Sequence, residues 1–246
     1  MIDKTLVKKR FSKSLITYED NAIIQKSMAE KLIRLLDKKH FDNIFEIGCA
    51  TGLLTKEINK KLTYKTLTTN DIVSKAKKYI EEVSGDINFI SGDIEELEIN
   101  TKYDLIISNA SLQWCNDIET TINKLINSLS DNGILAISIF GDDNFKEIKN
   151  IFNIENKNYN FESLKNFLTK YNAQILVEKD KLTFSSLFEI LKHIQKTGVN
   201  AIKESTLTKS QLKTLEENYK KCFSIENSLT LTYEPVYIIV QKNDIE

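Results

Sequence analysis

Arginine is nearly missing from this 246-residue chain: of its 34 basic residues only Arg10 and Arg34 are arginines. The planar fork that grips phosphates through paired hydrogen bonds is therefore scarce. With a formal net charge of −1 there is also no global pull on a polyanion, so nucleic acid is not an expected partner. Proline occurs once, at Pro235, and glycine seven times, which leaves no flexible linker. The three cysteines, Cys49, Cys115 and Cys222, are odd in number, far apart and without metal-ligand spacing. The two histidines, His40 and His193, have no partners at such spacing either, so no metal site is expected and the thiols read as reduced, in a cytoplasmic protein. The longest apolar run, 134–140, is interrupted by Ser138 and falls far short of the roughly 20 residues of a membrane span. The N-terminus has lysines but no apolar stretch behind them, so no signal peptide is expected. Repeats and low-complexity tracts are lacking. One domain over 1–246, acting as a monomer, is the expectation.

What is present is an alternation. Residues 1–38 read as an N-terminal helical cover: the first twenty are mixed and basic, and 21–38 carry Ile24, Met28, Leu32 and Leu36 at helical spacing. Short apolar runs then alternate with helical patterns. Strands are expected at 44–47, 65–69, 87–90, 103–108 and 133–140, and helices lie between them. That rhythm implies βαβ units and a parallel sheet. After Phe140 it changes: helices are predicted over 144–152 and 161–170, one strand over 173–184, helices over 185–197 and 208–222, and one long closing strand over 229–240. The helical segment 185–225 thus interrupts a hairpin and is expected near the carboxyl edge of the sheet, where α/β folds bind ligands.

The organising stretch is 43–55, a buried strand with Glu46 near its end, a turn holding Gly48 and Gly52, and a helix start. Glycines let backbone approach a ligand closely, and a helix N-terminus offers free N–H groups. A dinucleotide fingerprint would place glycines at 48, 50 and 53; Ala50 and Leu53 do not match it. Polar residues recur after the following strands: Asn70-Asp71, Gly92-Asp93-Ile94 and Ser108-Asn109-Ala110. In a doubly wound sheet those positions share one edge, and an acid about twenty residues beyond the glycine turn suits ribose hydroxyls.

Glu46, Gly48 and Gly52 resemble the first motif of class I S-adenosylmethionine (SAM) methyltransferases. The segment 109–115, with its Gln113-Trp114 pair, resembles more narrowly the malonyl-acyl-carrier-protein O-methyltransferases of biotin biosynthesis. So do Phe11-Ser12-Lys13, Tyr18, Gly92-Asp93-Ile94-Glu95, the segments 191–201 and 207–212, and Leu231-Thr232-Tyr233. The resemblance implies a Rossmann-like fold, a mostly parallel seven-stranded sheet with an antiparallel last strand, and a helical lid over 185–225 before that strand. It implies SAM as cofactor, held by Tyr18, Gln25, Glu46, Gly48, Gly52, Asp71, Ile72, Asp93, Ile94 and Asn109. It implies transfer of the methyl group to the free carboxylate of a malonyl thioester, with Asn109 and Trp114 positioning, and Lys13 and Trp114 toward the substrate. A carboxylate, with an ordinary pKa of about 4, needs no base. Ala50 stands where the family commonly has glycine, and Lys13 where many relatives have arginine.

The segment 192–221 holds seven lysines against three acids, a local charge of +4 in a chain of −1. Lys192 and Lys196 within it are expected to steer an acidic malonyl-acyl carrier protein. Two other readings stand at this level: a SAM-dependent enzyme for another small carboxylate or hydroxyl, and a non-catalytic SAM-binding homologue.

Overall fold

The computed structural model describes residues 2–154, 159–197 and 208–242. Its centre is a seven-stranded sheet of order β3-β2-β1-β4-β5-β10-β6. The strands are β1 (His40–Ile47), β2 (Thr63–Asp71), β3 (Asn88–Ser91), β4 (Tyr103–Asn109), β5 (Leu129–Phe140), β6 (Gln174–Val177) and β10 (Pro235–Gln241). β1 to β5 run parallel, and β10 is antiparallel to both its neighbours.

Alternation along the strands builds two cores. Ile134, Ala136 and Phe140 of β5 face one cluster, and Leu135, Ile137 and Ile139 face the other. Strands buried on both faces read as continuous apolar runs, which is why β4 and β5 were legible. The first core receives α2 (Ile23–Leu35) and α3 (Leu53–Lys61); the second receives α5 (Ile118–Asn127) and α7 (Phe161–Leu168). Met28, Ala29, Leu32 and Ile33 of α2 are fully buried, so the helical spacing read there is a packing face. Residues 4–21 form one helix, α1, with Asp3 capping it by accepting from Leu6 N at 2.9 Å. α4 (Ala76–Ser84) and α6 (Lys146–Phe152) complete the elements before the C-terminal region.

Two expectations are corrected there. The strand predicted over 173–184 is two strands, β6 and β7 (Asp180–Phe184), and the closing strand predicted over 229–240 is also two, β9 (Ser228–Tyr233) and β10. β7, β9 and β8 (Ser224–Ile225) form a separate three-stranded sheet. Both strand segments change sheets at the same level. Pro235 has no N–H to continue a ladder and opens β10 as its first residue, a position proline tolerates. Glu234, buried at the bend, accepts from Asp143 N at 2.9 Å, and its carbonyl accepts from Gly141 N at 2.8 Å. Because Pro235 pairs with Phe140, the carboxyl end of β5, the small sheet stands beyond the carboxyl edge of the large one. α8 (Leu187–Lys196) and α9 (Lys209–Phe223) follow β7, and α8 lies against α1 through Thr17 Oγ1, which donates to Lys196 O at 3.2 Å. Residues 198–201, 203, 204 and 207, which carried part of the sequence argument, lie outside the described residues.

Candidate functional site

The first strand delivers a glycine turn whose shape is set by its neighbours. Gly48 N and Cys49 N both donate to Asn70 O, at 2.8 and 3.1 Å, so the turn is folded onto the end of β2. Gly48, Ala50 and Gly52 have φ of 71°, 47° and 84°. A Cβ on Gly48 would lie 2.3 Å from Ser111 Cβ, so this position excludes a side chain by space as well as by conformation. Gly52 precedes α3, and an added Cβ there would sit 3.2 Å from Val83, within the packing between helices.

The acids divide into two kinds. Asp71, at the end of β2, accepts from Ala50 N through Oδ2 at 2.8 Å and from Val73 N through Oδ1 at 2.7 Å. Burial pushes its carboxyl up to about 6, and the two backbone donors hold it from rising further. Glu46 lies fully buried beneath the turn. Its Oε2 accepts from Thr55 Oγ1 of α3 at 2.7 Å, and its Oε1 has no hydrogen-bond partner among the described residues. Burial pushes it up to about 8, against the Thr55 hydrogen bond and with the charge of Asp71 adding to the rise.

After β3, Asp93 receives Lys4 of α1 at 3.0 Å, and the same ammonium bonds Glu95. Glu95 in turn accepts from Asn116 N and Asp117 N, both at 2.9 Å. Lys4 therefore ties the first helix to two loops of the carboxyl edge. After β4, Asn109 Nδ2 donates to Gln25 O at 2.9 Å, and its Oδ1 accepts from Ser138 Oγ at 2.6 Å. Ala110 then turns with φ of 51°, and a short 3-10 turn, Leu112–Trp114, presents the Trp114 ring edge-on to Phe11 at 5.5 Å. Trp114 Nε1 is buried without a hydrogen-bond partner among the described residues.

These ends enclose a cleft of about 720 Å³, its open mouth included, in the range of small-molecule sites. Gly48, Asp71, Ile72, Asp93, Ile94, Asn109 and Trp114 line it from the sheet side, and Tyr18 lines it from α1. Six of the expected residues are not among its lining residues. Glu46 and Gln25 are fully enclosed by protein, Gly52 serves the α3 start, and Lys13 and Lys192 are exposed. Lys196 is half-buried at the end of α8. Sequence reasoning missed Lys4, Val7 and Leu15, and named Asn70, Ser111 and Cys115 without giving them a role; all six also line the cleft. Lys4, Val7, Phe11, Leu15 and Tyr18 recur at three- and four-residue spacing, a helix face that the run of lysines obscured. Burial pushes the Cys115 thiol up to about 12, so it stays protonated.

The sheet order and the glycine turn define a class I methyltransferase fold. The description "Methyltransferase domain" matches residues 45–137. A solved N-methyltransferase, NodS of Bradyrhizobium japonicum in complex with S-adenosyl-L-homocysteine, shares this fold. Its TM-score is 0.58 at 15% identity, over 96% of this chain and 98% of that one. The malonyl-acyl-carrier-protein O-methyltransferase of Calditerrivibrio nitroreducens is 40% identical over 242 residues, 96% of each chain. That of Chlorobium luteolum is 30% identical over 98% of this chain and 97% of its own. The chain belongs to the malonyl-acyl-carrier-protein O-methyltransferase family.

The cofactor of this class is S-adenosylmethionine. The cleft suits it on its own geometry. A cradle bare of side chain at Gly48 is flanked by the buried Asp71 carboxyl, and Ile72 and Ile94 offer apolar surface beside Asp93.

Proposed function

We propose that the protein transfers a methyl group from SAM to the free carboxylate of a malonyl thioester carried by an acyl carrier protein. The methyl ester would prime pimeloyl and biotin synthesis. One observation carries the acceptor class. Phe11, Leu15 and Tyr18 of α1, with Trp114 against Phe11, line part of the cleft, and no histidine or ionised cysteine lines it among the described residues. Such a lining suits an acceptor that arrives already anionic, because a hydroxyl would need a base to take its proton.

When bound, SAM supplies an electrophilic methyl on a sulfonium, and the carboxylate oxygen forms the new C–O bond as the C–S bond breaks and S-adenosylhomocysteine leaves. The chain's own work is positional. Asp71 is assigned to the ribose hydroxyls, Asp93 with Ile72 and Ile94 to the adenine, and Gly48 to the close backbone approach. Tyr18 and Asn109 are assigned to the methionine end. Glu46, Gly52 and Gln25 support that shell from behind. The buried carboxyl of Asp71, ionised above about pH 6, favours a cationic ligand over a neutral one. Phe11 and Trp114 exclude water and align the acceptor, where orientation is worth the most.

Residues 1–38 are assigned as a cover and 185–225 as a lid of a single cytoplasmic, monomeric domain. The acidic carrier is assigned to the basic lid at Lys192 and Lys196, with Lys13 beside it. No described helix is long and apolar enough to cross a membrane.

Labelled SAM incubated with malonyl-carrier protein, malonyl-CoA and free malonate tests the reaction. Label should appear in a base-labile ester of the carrier-bound malonyl group. SAM binding without transfer to any of the three overturns the assignment.

A further inference from the structure

α1 has two faces that do different things. Lys4, Val7, Phe11, Leu15 and Tyr18 roof the cleft. On the opposite side Leu6, Lys9, Lys13 and Ile16 follow one another at spacings of three, four and three, and all four are exposed. Ile16 is 82% exposed, far more than an isoleucine on a helix that already buries one face requires. Between residues 4 and 18 the chain has five cations and no carboxylate. Lys4 is used internally, whereas Lys8, Lys9 and Lys13 have no hydrogen bond or ion pair among the described residues.

A matching stripe lies on the neighbouring helix. α8 buries Leu187, Ile190 and Ile194 and exposes Phe188, at 58%, with Lys192 and Gln195 on the same side. The two helices touch where Thr17 donates to Lys196 O, so the stripes belong to adjoining helices beside the cleft. Each stripe combines a large apolar side chain with lysine.

We infer that the outer faces of α1 and α8 together form the docking surface for the acidic protein that carries the acceptor, with Ile16 and Phe188 as apolar anchors and Lys9, Lys13 and Lys192 as the charged surround. This rests on the reading that the acceptor is carried by a protein, and it moves the weight of recognition from the lid alone onto the first helix. Charge complementarity supplies the choice of partner: Lys8, Lys9, Arg10 and Lys13 outnumber the one acid of that stripe, Asp20, and Lys192 stands with Glu189 on α8, so the face is net basic and steers acidic surfaces, while exposed apolar anchors supply the short-range contact. A partner seated there would stand over the same helix that roofs the cleft.

The experiment uses the full chain with Lys9→Glu, Ile16→Ser, Phe188→Ser and the combination of the first two. Turnover of malonyl-carrier protein is measured across carrier concentrations, and SAM affinity is measured separately by calorimetry. The combined variant should raise KM for the carrier about tenfold, with kcat and SAM affinity within twofold of the parent. The increase should shrink as salt is raised, because exposed charges are screened. A carrier KM within twofold of the parent overturns the inference, as does a rise matched by equal loss of SAM affinity, which would mean that α1 had simply come away. Binding of the parent to vesicles of anionic phospholipid, lost in Lys9→Glu while carrier KM is unchanged, would assign the face to a membrane and overturn it as well. Failure of the parent to methylate malonyl-carrier at all is a separate result, against the proposed reaction.

Discussion

The side chain of Ser111 occupies the space that a side chain on Gly48 would need, with Cβ to Cβ only 2.3 Å apart. Ser111 also bonds Ser108 Oγ at 2.6 Å and donates to Ile47 O at 3.3 Å, so it is held from both sides and cannot withdraw. The loop after β4 thus sets the glycine requirement in the loop after β1. Gly48→Ala should destabilise the protein by about 2 kcal/mol or more, from overlap together with positive φ. Pairing it with Ser111→Gly should recover the overlap part but not the conformational part. Urea denaturation of the two singles and the double measures this; full additivity would contradict it.

Ala50 makes the opposite prediction. It holds φ of 47° with a side chain, at a position where the resemblance leads one to expect glycine. Ala50→Gly removes about 1 kcal/mol or more of left-handed strain and adds somewhat less in unfolded-state freedom. Stability should be unchanged or higher by up to about 1 kcal/mol, a Tm gain of about 2–4 °C at most for a chain of this size. A clear loss of stability would show that the methyl group packs usefully.

Glu46 links stability to pH. Its folded-state carboxyl keeps its proton up to about 8, whereas the unfolded chain releases it near 4.5. The folded state therefore binds more protons in that interval, and stability falls as pH rises from about 4.5 through about 8. Asp71 adds the same sign between 3.8 and about 6. Glu46→Gln should flatten the upper part of this profile and raise Tm at pH 8 by about 4 °C or more. Thermal scans of the cofactor-free protein across pH check both; a parallel profile for parent and variant would contradict the assignment.

Lys4 closes the amino end of α1 over the cleft through Asp93 and Glu95, and all three side chains are partly screened by solvent. Lys4→Met should change global stability by less than about 1 kcal/mol. Its effect should instead be local, as faster hydrogen exchange in α1 and at the amides of Asn116 and Asp117, where Glu95 is the acceptor. Unchanged exchange would mean that packing by Val7 and Leu15 alone holds the helix.

The main sheet was legible because its central strands are buried on both faces and punctuated by polar residues at one edge, a pattern that survives in one dimension. Ile44, Leu105 and Leu135 announce themselves by composition. The C-terminal strands were misread for a related reason. A strand that leaves one sheet for another keeps its apolar residue types on both sides of the bend, so the charged Glu178-Lys179-Asp180-Lys181 within 173–184 and the single Glu234 within 229–240 read as outward positions of one strand. Pro235 marked the second bend, and its meaning depends on Phe140 opposite it. In the site, Asp71 and Asp93 were found because strand ends are predictable. Of the cleft-facing residues of α1, Tyr18 and Phe11 were named, but Lys4, Val7 and Leu15 were passed over because five cations hid the helix's periodicity.

By itself the sequence determined the class of fold, the edge at which a ligand binds, the cofactor class and the acids offered to it, because each depends on local order along βαβ units. Tertiary structure decided which of those groups reach the cleft. Glu46 and Gln25 are named by the same motifs as Asp71 and Asn109, yet they are enclosed, because burial is fixed by what the chain later lays over them. It also decided that α1 closes the site and that Gly48 answers to Ser111. Those contacts join residues far apart in the chain, and their spacing in the sequence carries no trace of their distance in space.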